Sequence, residues 1–152
     1  MTIWTMVFAG LLLGFSAFAD DAADRVKLGG AWQVENPAGG QTAAMWTLLE
    51  KGDSIHVIHA EGARTIADFE CNTEGKECAI KDSGKQGKVS MWFSGAKLVE
   101  LETRGSEVVK RRFSISGQGE KMELEVIPIV PTGDTAKIVF KRIETAASSQ
   151  AH

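Results

Sequence analysis

Across residues 32–142 the chain alternates short apolar and polar runs, each closed by a Gly- or Asp-bearing turn. Successive side chains of a strand point to opposite faces, so this pattern writes half-buried antiparallel strands rather than helices. With residues 31–34, 65–69 and 76–81 added to the runs below, the expected fold is all-β. It is a single antiparallel up-and-down barrel of roughly eight to ten strands, closed so that its sheet edges disappear. The domain reads as residues 20–145, with an export segment at 1–19 before it and a tail without apolar periodicity at 146–152 after it.

The turns suggest registers. A two-residue loop at Gly52-Asp53 sets Leu48 opposite Val57 and Trp46 opposite His59, facing inward. A Gly-first turn at Gly95-Ala96 sets Trp92 opposite Val99 and Ser90 opposite Leu101. If these apolar residues face the interior, Met91, Phe93 and Leu98 face out. In the hairpin of residues 97–103 and 108–115, grouping Val99 and Leu101 with Val109, Phe113 and Ile115 demands an odd loop. A three-residue loop sets Glu102 opposite Lys110 and Glu100 opposite Arg112, two complementary outward pairs. A two-residue loop at Gln118-Gly119 then pairs Ile115 with Met122, Phe113 with Leu124 and Arg111 with Val126. It leaves Arg112 between Glu100 and Glu125 in an outward ladder.

The expected lining is therefore Trp46, Leu48, Val57, His59, Trp92, Val99, Leu101, Arg111, Phe113 and Leu124. Arg111 is the one charge among them, and these registers give it no carboxylate on its face. Two readings stand: it awaits a ligand's acid group, since a desolvated guanidinium binds carboxylate through a bidentate fork, or it buries only its stem near a barrel mouth. Met91, Phe93 and Leu98 form an outward apolar patch, to be met by a protein partner or a second copy of the chain, or covered by residues 20–27 or by the tail.

Composition narrows the partners. The 152 residues are 43% hydrophobic with a formal net charge of -3, which offers no basic face for a nucleic acid. Residues 1–19 carry no charged side chain, and Ala17-Phe18-Ala19 before Asp20 reads as a cleavage site. The run is short for a bilayer span, so the expected location is periplasmic or secreted, with no stable membrane span after cleavage. Cys71 and Cys78 flank a turn-rich hexapeptide and are expected to form a disulfide in an oxidising compartment. Without a nearby His or a second Cys pair they make half a metal site, and His56 and His59, three apart on a strand, point to opposite faces. No cofactor is implied. No G-x-S-x-G elbow, phosphate loop or metalloprotease helix occurs in the chain, so no catalytic residue is assigned and an enzyme is not expected.

Gly30-Ala31-Trp32 opening the first strand, the run of turn-linked strands and Arg142 on the last strand resemble the lipocalin-like superfamily, in particular its small exported bacterial members. The resemblance spans about residues 28–142. It implies that Trp32 closes one barrel end with Arg142 stacked on it, and that the barrel holds a small, mostly apolar molecule. The expected function is accordingly an exported small-molecule-binding protein, its ligand hydrophobic or amphipathic. The alternative is a filled barrel serving as a structural or protein-interaction module.

Overall fold

The computed structural model describes residues 17–37, 39, 43–82 and 85–144. The expected tail and most of the export segment lie outside the described residues. A helix, α1 (Ala17–Lys27), precedes ten strands: β1 (Gly30–Val34), β2 (Ala44–Lys51), β3 (Ser54–Glu61), β4 (Arg64–Asn72), β5 (Glu74–Asp82), β6 (Lys85–Ser94), β7 (Lys97–Arg104), β8 (Glu107–Ser116), β9 (Lys121–Val130) and β10 (Ala136–Ile143). All pairings are antiparallel and join consecutive strands, except β1 with β10, in the order β4-β3-β2-β1-β10-β9-β8-β7-β6-β5. The result is the expected all-β, up-and-down, nearly closed barrel. β4 and β5 end the sheet without a ladder between them, and the Cys71–Cys78 disulfide, Cα atoms 5.7 Å apart, joins them. No described helix is long and apolar enough to cross a membrane.

Most of the turn-derived registers are found. Trp46 pairs with His59 and Leu48 with Val57; Trp92 pairs with Val99; Phe113 pairs with Leu124 and Arg111 with Val126. The β7–β8 hairpin differs. Its loop is two residues, Gly105-Ser106, with Gly105 at φ 59°, so Glu100 pairs with Arg111 and Leu98 with Phe113. A Gly-first two-residue turn carries the twist of the flanking strands, and it outweighs the complementary surface charges that a three-residue loop would have aligned.

That one-residue change inverts the expected faces of β6 and β7. Met91, Leu98 and Phe113 are fully buried in the core cluster, with Phe93 packed against it. Met91, Phe93 and Leu98 are therefore wall and floor of the interior, not an outward patch, and the interaction surface assigned to them does not exist. Trp92, Val99 and Leu101 take the outer face instead. There Trp92, Val99, Arg112, Glu125 and Lys137 stand in register across five strands. Val99 is buried within this row yet stays outside the core cluster. The expected outward ladder loses Glu100 and keeps Arg112 with Glu125 at 2.7 Å, extended by Lys137 at 3.5 Å.

The core fills the end of the barrel where α1 lies, here the lower end. Residues 20–27, left open by the sequence as a cover, belong to α1 and do cover this end: Arg25 donates to the Gly95 carbonyl at 2.7 Å and sits 4.8 Å from the Phe93 ring centre. Trp32, fully buried, donates its indole N–H to the Leu28 carbonyl at 2.9 Å.

Candidate functional site

The upper half of the barrel is built differently, because its inward positions mix aromatic and charged side chains. On β2 and β3 the Trp46 and His59 rings, directly opposite across the ladder, stack with centres 4.1 Å apart and planes 7° from parallel. Phe113 meets Trp46 edge-on at 5.2 Å. On β7, Glu100, Glu102 and Arg104 follow one another at the strand period of two, so they share the inward face with Arg111 of β8. Arg111 donates to Glu100 Oε1 at 2.7 Å and to Glu102 Oε2 at 3.2 Å, while Arg104 donates to the other oxygen of Glu102 at 2.7 Å. The Arg111 guanidinium also lies 5.7 Å from the Trp46 ring centre.

Between this network and β4 lies a cavity of about 450 Å³, walled by Trp46, His59, Ala67, Phe69, Glu100 and Arg111, with exposed Arg64 and Thr65 at its rim. Clefts of roughly 300–1,000 Å³ hold small molecules when mostly apolar walls surround a few fixed polar groups. Here the apolar part is the Trp46–His59 stack with Ala67 and Phe69, and the polar part is the carboxylate–guanidinium cluster.

Burial sets the electrostatics. Glu100 is 1% exposed, and its removal from water pushes the carboxyl above the ordinary range, against the opposing pull of Arg111. Its Oε2 has no hydrogen-bond partner among the described residues. Burial also works against the charge of Arg111, but Glu100 and Glu102 outweigh it and hold the guanidinium protonated. His59 is lowered to about 4, first by burial and then by the Arg111 charge, so it is a neutral ring at physiological pH. His56 faces outward, 2.6 Å from Asp68. No cluster of three or more His, Cys, Asp or Glu among the described residues could hold a metal.

Of the ten residues expected to line the interior, Trp46, His59 and Arg111 wall the cavity. Leu48, Val57, Phe113 and Leu124 belong to the packed core beneath it. Trp92, Val99 and Leu101 face outward. The premise that Arg111 lacks a carboxylate also fails, because the corrected register brings it two. Glu100, Glu102 and Arg104, together with Ala67 and Phe69 of β4, were not anticipated. Apolar burial alone favours Val99 and Leu101 over the glutamates as the inward set of β7. The signal that would have found the glutamates is the turn Gly105-Ser106, which repeats the Gly-first form of Gly95-Ala96 and places Phe93, Leu98 and Phe113 in one inward row.

At the lower end Arg142 lies 4.1 Å over the Trp32 ring centre and donates to the carbonyls of Lys27, Gly29 and Gly119. Gly30, at φ 128°, leaves the space that the guanidinium occupies: a Cβ there would stand 2.6 Å from Arg142 Nη1. The stacked pair, these hydrogen bonds and α1 close this end.

No protein-family model and no curated protein sequence matches the chain. Solved structures share its fold. A secretory abundant heat soluble protein from Ramazzottius varieornatus superposes with a TM-score of 0.64 at 16% identity, covering 77% of this chain and 96% of its own. The REP1-NXSQ fatty acid transporter gives 0.64 at 15% identity over 79% of this chain and 98% of its own. A Schistosoma mansoni fatty acid binding protein in complex with arachidonic acid gives 0.60 at 16% identity over 80% and 99%. The chain thus shares the antiparallel barrel fold of these proteins.

Proposed function

We propose that this protein is an exported carrier that holds a small, mostly apolar molecule in the upper half of its barrel. The observation that carries the reading is the cavity of about 450 Å³ between the Trp46–His59 stack and β4, set above a fully packed lower core. A barrel serving only as a structural module would bring its core up to its mouth, since interior voids forfeit dispersion contacts. Solved barrels of the same fold include proteins named for fatty-acid transport and binding, which supports a binding role over a catalytic one. Export rests on the uncharged, cleavage-ended segment of residues 1–19 and on the Cys71–Cys78 disulfide, a bond that persists outside the reducing cytoplasm.

Native mass spectrometry of the protein purified from its own host tests this directly. A non-covalent mass of a few hundred daltons, lost on organic extraction, is expected. Saturable quenching of tryptophan fluorescence by dodecyl amphiphiles, abolished in Trp46→Phe, is the companion measurement. No bound mass and no saturable quenching would overturn the carrier reading.

A further inference from the structure

We propose that the polar anchor of the cavity is Glu100, and that the molecule held there presents an uncharged hydroxyl group rather than a carboxylate. This rests on the carrier reading and names its ligand class. Three observations lead to it.

First, Glu100 walls the cavity while nearly all of its surface is buried, and its Oε2 lacks a partner among the described residues. Buried polar atoms are almost always hydrogen-bonded, so the unpaired oxygen of a side chain that walls the cavity is where we place the ligand atom. Second, the cations around the cavity already face carboxylates: Arg111 meets Glu100 and Glu102, Arg104 meets Glu102, and Arg64 meets Glu61 at the rim. A ligand carboxylate would have to displace Glu102 from Arg111 or bring a further negative charge beside Glu100 in a desolvated site, and either is unfavourable. Third, His59 is a neutral ring stacked on Trp46, so it supplies no charge to hold an acid.

A hydroxyl suits Glu100 in both protonation states. It donates to the carboxylate and accepts from the carboxylic acid, whereas a ketone or ester serves only the acid form. The Trp46 and His59 rings with Ala67 and Phe69 then take the apolar body.

The test is isothermal titration calorimetry of the full, disulfide-bonded chain with dodecanol, dodecanoate and dodecane near neutral pH. Dodecanol should bind about tenfold more tightly than either of the others, the size expected when one hydrogen bond to a buried group is made or missed. In Glu100→Leu that preference should vanish, and dodecanoate should gain because Arg111 has lost one of its two anions. Glu100→Gln keeps the volume and a hydrogen-bonding head, so it guards against a variant that merely fails to fold. It should hold dodecanol nearly as the parent does, while binding dodecanoate more tightly than the parent. Dodecanoate binding to the parent as tightly as dodecanol overturns the hydroxyl assignment and leaves the carrier reading standing. A dodecanol preference that survives Glu100→Leu overturns Glu100 as the anchor. Failure of all three probes to bind removes this proposal and the carrier reading together.

Discussion

Both ends of the barrel are built on an arginine over a tryptophan, Arg142 over Trp32 below and Arg111 beside Trp46 above. They differ in what answers the guanidinium. Arg142 meets backbone carbonyls of the Lys27, Gly29 and Gly119 segments, so it ties chain segments together, and the indole beneath it is wholly buried. Arg111 meets two carboxylates, one of which keeps an oxygen without a partner beside a cavity. One residue pair thus closes a barrel when its partners are backbone and walls a cavity when they are ionisable side chains.

The contrast is open to breaking, most forcefully at the closed end. Trp32→Ala should lower stability by about 3–5 kcal/mol, the range for removing a large buried aromatic, measured as a shift in the urea midpoint. Arg111→Met should cost about 3 kcal/mol near neutral pH, because it leaves buried carboxyl groups without their cation. The double variant Arg111→Met with Glu100→Leu should recover most of that loss. Arg142→Met, whose hydrogen bonds are partly exposed, should cost roughly 1–2 kcal/mol, and no second side-chain change should rescue it, since its partners are backbone carbonyls. A rescue of Arg142→Met equal to that of Arg111→Met would erase the distinction between the two ends.

Titration sharpens it further. The unfolded chain releases the Glu100 proton near 4.5, whereas the folded chain, whose burial raises that carboxyl, still holds it. The folded state then binds more protons, so this group's contribution to stability falls as pH rises from about 4.5 through the folded value. His59 runs the other way: its pKa falls from 6.5 to about 4 on folding, so the unfolded chain takes up a proton that the folded ring refuses, and stability is lost as pH drops across that interval. Urea titrations over a pH series should show the parent losing its relative advantage over Glu100→Gln with rising pH and gaining it over His59→Gln. The smallest effect belongs to the outer face, where Lys137→Ala should leave the urea midpoint almost unchanged, because its contacts with Glu123 and Glu125 are solvent-screened.

How far the sequence reads depends on which residues set the register. Gly52-Asp53 and Gly95-Ala96 gave the β2–β3 and β6–β7 pairings because short turns leave little choice of twist. The Cys71 and Cys78 spacing gave the disulfide for the same local reason. The faces of β6 and β7 were illegible to a rule that puts apolar residues inside. Val99 and Leu101 alternate with Glu100 and Glu102, and a buried ion-pair cluster makes the charged set the inward one. Hydrophobicity counts each side chain alone, whereas the cost of burying Glu100 depends on Arg111, a residue of the next strand. The helix α1 was equally hidden. Its aspartates, Arg25 and Lys27 carry little apolar signal, and Val26 is 66% exposed; tertiary contacts such as Arg25 on Gly95 hold it in place.

The sheet order carries a consequence for how the cavity comes into being. Strands β1 to β4 form one arm and β5 to β10 another, each assembled from hairpins between neighbours in sequence, and the single ladder that joins the arms is β1 with β10. That ladder spans nearly the whole domain: Arg142 reaches Gly29 across 113 positions. Such a long closure carries a larger entropic cost than any hairpin turn, which favours arms that form before they meet. Trp46 and His59 arrive on one arm, Glu100 and Arg111 on the other. The cavity wall is therefore complete only where the two arms meet, across the β1–β10 ladder on one side and the Cys71–Cys78 bond on the other.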